Sequence, residues 1–167
     1  PYSLKNLLGM SQDILLLTAL IAVILMGSAM CSGIEAALLA VNPLRVHELA
    51  RRNPKVLGAR RLEKLRHRIG RTLTVVTIAN NSFNIFGSLM VGSYASFIFQ
   101  NKYGNVKPIF FVGLTILVLL LGEIVPKALG TRLSLQISLT SAPVLDFLSI
   151  VMRPLLQVLE RLLPIIT

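Results

Sequence analysis

Charged side chains are scarce in this sequence. Asp, Glu, Lys and Arg make up 14% of its 167 residues, against about 25% in an average soluble domain. Residues 14–34 and 72–101 carry no charge at all, and each run covers the roughly 20 residues that a membrane-spanning helix needs. A third uncharged run, 108–122, is shorter but extends past Glu123 to about Thr131. With 54% hydrophobic residues, the chain is predicted to be an integral membrane protein and not a soluble domain.

Cysteine and histidine are nearly absent as well. The single cysteine, Cys31, excludes an internal disulfide. The two histidines, His47 and His67, fall among positive charges outside the uncharged runs. Without a thiolate pair or a histidine at membrane depth, a zinc or copper site is disfavoured. The chain also lacks a phosphate-binding loop and a nucleophile beside a base, so we expect no enzymatic activity.

Acidic residues are few, and the basic ones are unevenly placed. There are 17 Lys and Arg against 7 Asp and Glu, and ten of the basic residues fall between Arg45 and Arg71. Because cytoplasmic loops carry the excess of Lys and Arg, we expect the N-terminus outside the cell membrane and the C-terminus in the cytoplasm. Beside a membrane, the nearest anionic partners are lipid headgroups, so nucleic-acid binding is not expected.

These patterns predict an all-α integral membrane fold, with residues 1–167 forming one transmembrane domain. Three spans are expected, at about residues 12–41, 71–100 and 108–131. Asn42 as N-cap and Pro43 at the first helical position open a basic, amphipathic helical hairpin, 43–69, at the cytoplasmic face. Residues 134–164 are expected to form a juxtamembrane amphipathic helical belt; the alternative is that residues 133–152 cross as a fourth span.

The inner half of the first span carries polar and small residues. Ser28, Ser32 and Glu35 are spaced four and three apart, so they share one helical face. Gly33, among other small residues, permits close helix packing. Such a seam can be purely structural, but an acid at membrane depth favours a functional site.

The second span carries a polar stripe. Its members, spaced three, four and four apart, are Thr77, Asn80, Asn84 and Ser88. Amides are costly in hydrocarbon unless paired, so the stripe must face protein, water or an ion. Interhelical hydrogen bonding alone is the structural alternative. Further out, Gly87 and Gly92 suggest a close helix contact that could form a dimer seam.

The third span ends in G-E-I-V-P-K, residues 122–127. Pro126 has no N–H, so the carbonyl of Gly122 loses its helical donor beside the carboxylate of Glu123. A helix break at this depth is tolerated where it lines a cavity, and transporters build ion sites in this way. The alternative is a simple kink, with Glu123 paired to Lys127 one turn later. Pro126 with Gly122, and Gly33 in the first span, are the predicted hinges.

The polar groups at membrane depth are all oxygens. They are the hydroxyls of Ser28 and Ser32, the amides of Asn80 and Asn84, the carbonyl of Gly122 and the carboxylates of Glu35 and Glu123. Oxygen ligands suit a hard cation such as Mg²⁺, Na⁺ or Ca²⁺. The sequence therefore predicts a dehydrated cation site between the three spans.

Three motifs, in this order, resemble the transmembrane domain of the CorC/CNNM family of Mg²⁺ transporters. They are S-A-M-C-S-G-I-E-A-A from Ser28, I-A-N-N-S-F-N from Ile78 and G-E-I-V-P-K from Gly122. The resemblance implies a homodimer with three spans in each subunit. It implies that Mg²⁺ is bound by Ser28, Ser32, Asn80 and Glu123, with backbone oxygens near Ser28 and Gly122. Glu35, Thr77 and Asn84 are expected to support these ligands or to contact Na⁺.

The resemblance also carries an expected function. It implies export of Mg²⁺ from the cytoplasm, coupled to entry of Na⁺, through an inward-open cavity. Relatives continue into a pair of cytoplasmic CBS domains, so we expect this chain to be the transmembrane part of a longer protein. Two alternatives stay open: a membrane sensor or scaffold that binds Mg²⁺ without net transport, and an exporter of organic cations such as polyamines.

Overall fold

Helices form all the regular structure in the described part of the chain. The computed structural model describes residues 4–52, 56, 58–99 and 106–158, with the backbone alone for 4–11 and 106–107, and no strand occurs among them. In chain order the helices are α1 (Leu4–Ala40), α2 (Pro43–Arg52), α3 (Ala59–His67), α4 (Ile69–Phe99), α5 (Val106–Leu117), α6 (Val125–Arg132) and α7 (Ser134–Val151), with a π-helical segment, Val118–Ile124, joining α5 to α6. The predicted all-α fold is confirmed.

Several helices are long and apolar enough to cross a bilayer. Three of them, Gln12–Ala40, Ile69–Phe99 and Pro108–Arg132, coincide with the three predicted spans. Helix α7, Ser134–Val151, satisfies the same criteria of length and composition. The chain is therefore a membrane protein. Whether it crosses the bilayer three or four times depends on whether α7 is inserted or lies on the surface.

Helix α1 is the element on which the other spans pack. It contacts α4, α6, the π-helical segment and α7. Its backbone approaches that of α6 closely, because a Cβ on Gly130 would overlap the carbonyl oxygen of Gly33. A Cβ on Gly33 would in turn lie 3.3 Å from the carbonyl oxygen of Pro126. Backbones come this close only where side chains are absent. The two predicted hinge residues, Gly33 and Pro126, therefore face each other across the α1–α6 contact.

The third span is continuous, so the predicted break at Glu123 is wrong. The chain enters a π-helix at Val118, leaves it at Ile124 and resumes as α-helix at Val125, with Pro126 in the first turn. In the π-helix each N–H reaches back five residues, as Val125 does to the carbonyl of Leu120. Residues in the first turn of an α-helix need not donate a backbone hydrogen bond, so proline, which has no N–H, is tolerated there. The change from π-helix to α-helix at Val125 therefore accommodates Pro126 without ending the span.

Gly87 takes part in a tight helix contact, as predicted, and this contact lies within the subunit. It is buried on α4, and a Cβ there would overlap the side chain of Ile24 on α1. Its small size therefore serves the contact between α1 and α4.

A buried apolar cluster joins the end of α1 to α2, α3, α4 and α7. It consists of Leu38, Val41, Val46, Leu62, Leu65, Val76, Ala142 and Leu145. Asn42 caps α2 as predicted, since its Oδ1 accepts the backbone N–H of Leu44 at 2.9 Å. Arg66 on α3 donates from Nη1 to the carbonyl oxygen of Leu38, near the end of α1, at 2.6 Å. The basic helices are thus fixed to one end of the bundle.

Helices α3 and α7 run side by side in the same direction. Three contacts along their length show this: Gly58 with Leu139, Lys64 with Asp146, and a cavity lined by both Arg68 and Arg153. Gly58 has a φ of +89°, which glycine adopts without strain. From Leu139 to Arg153 a helix advances about 21 Å at 1.5 Å per residue, and α7 stays beside the basic helix throughout. The part of the predicted belt beyond residue 158 lies outside the described residues.

Candidate cation site

The hydroxyl group of Ser28 lies where three membrane helices meet. Its Oγ is 2.8 Å from Asn84 Oδ1, 3.2 Å from Asn80 Oδ1 and 3.4 Å from the carbonyl oxygen of Gly122. Ser32, one turn along α1, places its Oγ 3.5 Å from Asn80 Oδ1. A spacing of four residues aligns the two serines on α1 and the two asparagines on α4. The structure therefore brings together these residues from three separate parts of the sequence; we call them the Ser28 group.

Acceptor oxygens outnumber hydroxyl protons in the Ser28 group. Ser28 has one proton to donate and faces three acceptors, and the hydroxyl of Ser32 faces one of the same acceptors. Ser28, Ser32, Asn80 and Gly122 are buried, where an acceptor without a partner costs free energy. A cation among these oxygens would supply the missing positive charge.

Glu35 and Thr77 form a pair of their own. Thr77 Oγ1 donates to Glu35 Oε1 at 3.0 Å, linking α4 to α1. Glu35 follows Ser28 by seven residues, or about 10 Å along the helix axis. This acid therefore lies two turns from Ser28 and about one turn from Ser32, towards the end of α1 that carries the basic helices.

Glu123 lines a cavity on another side of the Ser28 group. The cavity has a volume of about 320 Å³, and Asn84 is among its lining residues together with side chains of α1, α4, α5 and the π-helical segment. Glu123 Oε1 accepts a hydrogen bond from Lys127 Nζ at 2.8 Å. The Glu123–Lys127 pair that the sequence offered as an alternative is therefore present, and it coexists with a place for Glu123 in this cavity.

The structure gives three residues a larger part in the site than the sequence predicts. Asn84 makes the shortest contact of the Ser28 group, although it was expected in a supporting role. Lys127 was not among the expected site residues, and its spacing of four from Glu123 was the available signal. Thr115 also lines the cavity, and no pattern in its apolar run points to it.

The acids and possible metal-binding side chains are dispersed. Among the residues that the structure describes, no three His, Cys, Asp or Glu side chains are placed to hold one metal ion. The oxygens of the Ser28 group come instead from hydroxyl, amide and backbone carbonyl groups, which are ligands of hard cations.

Comparison with known proteins identifies the family. The family described as Cyclin M transmembrane N-terminal domain, CNNM, matches residues 19–167. The chain belongs to the CNNM family. The CNNM match includes every residue of the Ser28 group, and also Glu35, Thr77, Glu123 and Lys127.

Three curated proteins are similar to this CNNM domain. A UPF0053 protein of Synechocystis sp. is 36% identical over 148 residues, covering 87% of this chain and 41% of the relative. The UPF0053 inner membrane protein YfjD of Escherichia coli is 29% identical over 136 residues, and a UPF0053 protein of Haemophilus influenzae is 31% identical over 134 residues. The chain covers 30% of each of these two relatives. It therefore spans less than half the length of the curated relatives it matches.

Proposed function

We propose that this CNNM domain forms the membrane pathway of a secondary transporter, not of an enzyme, that exports Mg²⁺ from the cytoplasm in exchange for Na⁺. The observation that carries the proposal is the Ser28 group: oxygens from three spans meet at one point, and acceptor oxygens outnumber the hydroxyl protons that face them. An all-oxygen, buried group of this kind suits a hard cation that has lost part of its water.

The spacing of these oxygens, set here by hydrogen bonds, is close to the spacing that Mg²⁺ requires of its ligands. In an octahedral site with ligands at 2.0–2.1 Å, neighbouring ligands lie about 3.0 Å apart. The oxygens around Ser28 Oγ lie at 2.8, 3.2 and 3.4 Å from it. We assign Mg²⁺ binding to the side chains of Ser28, Ser32 and Asn80 and to the Gly122 carbonyl, with Asn84 as a further ligand. Glu123 supplies negative charge at the same site once its carboxylate leaves Lys127.

Coupling to Na⁺ is assigned to the second acid. Glu35 holds a partly buried carboxylate against Thr77, and it lies on the same face of α1 as Ser28 and Ser32. A carboxylate and a hydroxyl are oxygen ligands that Na⁺ accepts. Movement of α6 against α1 at Gly33 and Pro126 would then alternate access to the two sites.

The packing of α7 supports three spans. Helix α3 is basic and amphipathic, which is typical of a helix that lies in the plane of the membrane surface. A helix that crosses the bilayer would leave such a helix within one or two turns, whereas α7 stays beside α3 from Leu139 to Arg153. We therefore propose that α7 lies in the plane of the cytoplasmic surface, with the N-terminus outside. In the full-length protein the cytoplasmic CBS domains would follow on the same side.

We also propose that two copies associate as a homodimer. Helix α4 turns exposed apolar side chains outward, among them Phe86, Leu89, Met90 and Phe97. This surface can pack against a second copy within the bilayer, and lipid would cover the apolar side chains that the second copy does not contact.

One observation favours a second candidate, an exporter of organic cations. The Glu123 carboxylate already holds a primary ammonium group, that of Lys127, at 2.8 Å. A polyamine presents the same group, and the cavity of about 320 Å³ has room beside Glu123 for an alkyl chain. This candidate predicts that spermidine binds more tightly than Mg²⁺ and competes with it.

The experiment that tests the proposal is isothermal titration of Mg²⁺ into the purified protein, with and without Na⁺. Asn80→Ala is the test variant, and Asn81→Ala is its matched control, because Asn81 is the next residue on α4 and is exposed. We expect Mg²⁺ binding that Na⁺ weakens, that Asn80→Ala abolishes and that Asn81→Ala leaves unchanged.

Flux into liposomes separates transport from sensing. Mg²⁺ movement driven by a Na⁺ gradient, and lost in Asn80→Ala, is the expected result. Binding without flux would identify a sensor or scaffold. Equal binding by wild type and Asn80→Ala would refute the Ser28 group as the site.

A further inference from the structure

A small cavity with basic walls lies where α3, the start of α4 and α7 meet. Its volume is about 130 Å³, well below the roughly 300–1,000 Å³ of sites for drug-sized ligands. Its charged lining residues are Lys64, Arg68, Arg71, Arg153 and Asp146. A cavity of this size accepts one compact group and excludes a nucleotide. It lies on the basic helices, apart from the Ser28 group.

Positive charge predominates in this cavity. Among the described lining residues, four cations stand against one carboxylate, that of Asp146, which lies 3.9 Å from Lys64; Arg71 also has an interaction of its own. Three of the cations are arginines, whose planar guanidinium groups bind phosphate oxygens in pairs. Arg71 and Thr72 also belong to the first turns of α4, where the helix dipole adds partial positive charge. The cavity therefore attracts an anion.

One residue that lines the cavity has a hydroxyl group with no hydrogen-bond partner among the described residues. The Oγ of Ser149 on α7 is buried from solvent, and among the described residues no group forms a hydrogen bond with it. Ser149 lines the same cavity as the arginines. A buried hydroxyl without a partner costs free energy, and an acceptor oxygen of a bound ligand would satisfy it.

We propose that this cavity binds the phosphate group of an anionic phospholipid. The choice of a lipid over a free anion comes from the neighbouring surface: Ile150, Val151 and Leu155 are exposed apolar side chains on the turns that carry Ser149 and Arg153. A phosphate held by the arginines would leave acyl chains to lie along this apolar surface. The site thus matches both parts of a phospholipid and lies at the end of the bundle where the basic helices are.

Native mass spectrometry of the protein in detergent tests this proposal. The probes are phosphatidylglycerol, phosphatidylcholine, whose phosphate is balanced by choline, and inorganic phosphate as competitor. The test variants are the double substitution Arg68→Gln/Arg153→Gln and the single substitution Ser149→Ala. The matched control is Arg51→Gln/Arg52→Gln, which removes the same charge from exposed positions on α2 outside the cavity.

We expect wild type to bind phosphatidylglycerol in preference to phosphatidylcholine. Loss of two charge-assisted contacts should weaken phosphatidylglycerol binding at least about tenfold in Arg68→Gln/Arg153→Gln, and loss of one hydroxyl partner about threefold in Ser149→Ala. The control should stay within about twofold, as expected for exposed charges near a surface.

Four results would overturn the proposal. An equal loss in the control would mean diffuse attraction and not a site. Equal binding of phosphatidylcholine would show that the cavity does not select anionic lipids. Displacement of the lipid by millimolar inorganic phosphate would make a free anion the ligand. No phosphatidylglycerol binding by wild type would point to an acidic protein segment as the occupant.

Discussion

Gly130 of α6 lies against Gly33 of α1 with no room for a Cβ between them. This contact determines how closely the third span approaches the first. Eight residues before Gly130 on the same span, the carbonyl oxygen of Gly122 lies 3.4 Å from Ser28 Oγ. The two glycines therefore help set the distance between the oxygens that we propose as Mg²⁺ ligands.

Replacing Gly130 with alanine should force α6 away from α1. Overpacking of this kind costs about 1–3 kcal/mol, so we expect a lower melting temperature and weaker Mg²⁺ binding in the same variant. Gly113→Ala is the control, because no atom outside its own helix lies within 4 Å of a Cβ there. Alanine is about 1 kcal/mol better than glycine in a helix, so the control should be neutral or stabilising. A Gly130→Ala protein as stable as wild type would show that the helices adjust at no cost.

Removing the hydroxyl group of Ser28 should weaken Mg²⁺ binding by at least about tenfold, as expected for loss of a ligand to a charged group. The matched control is Ser82→Ala, because the Ser82 hydroxyl donates within its own helix, to the carbonyl oxygen of Ile78 at 2.8 Å. Titration calorimetry of both variants gives the comparison. Equal affinities in the two would exclude Ser28 from the cation site.

Neutralising Lys127 should tighten Mg²⁺ binding. The ammonium group of Lys127 occupies the Glu123 carboxylate, and a divalent cation must displace it. Both side chains are about two-fifths exposed, and such pairs contribute about 0.2–1 kcal/mol, so Lys127→Gln should raise the affinity by a factor between about 1.4 and 5. Lys127→Arg keeps the positive charge and should stay near wild type. Unchanged or weaker binding in Lys127→Gln would show that the lysine does not compete with the cargo.

The start of α7 and the helical segment that follows its end should both be accessible from the cytoplasm. In a Cys31→Ala background, single cysteines at Gln136 and Gln157, both exposed, should react with a membrane-impermeant maleimide only in inside-out vesicles. The two positions are about 30 Å apart along a helix, enough to reach both faces of a bilayer if α7 crossed it. If the Gln136→Cys and Gln157→Cys variants react from opposite sides of the membrane, α7 is a fourth span.

Much of the fold could be predicted from the sequence, because a helix that crosses the bilayer needs an apolar run of about 20 residues. The uncharged runs locate three membrane-crossing helices within two residues, and Asn42 was recognisable as the cap of α2. The path of the third span could not be read in this way. Whether Pro126 breaks a helix or is absorbed by a π-helix depends on packing against α1.

The residues of the Ser28 group could be predicted from the sequence, but the contacts between residues on different helices could not. Helical spacing placed Ser28 with Ser32 and Asn80 with Asn84. Spacing on separate helices does not say that Asn84 approaches Ser28 more closely than Asn80 does. Nor does it say that Glu35 would turn to Thr77. Those outcomes depend on how α1 and α4 are rotated towards each other.

The π-helical segment also limits how the third span can vary. A π-helix inside an α-helix amounts to an inserted residue, and removing it rotates everything on one side by about 100° relative to the other. The glycine contact with α1 holds the α6 side in place, so a deletion between Val118 and Leu121 would rotate α5 instead. Phe111, Leu114 and Thr115 would then turn away from the cavity that they line. We therefore expect exchanges among leucine, valine and isoleucine within this run to have little effect, and a change in the number of its residues to have a large one.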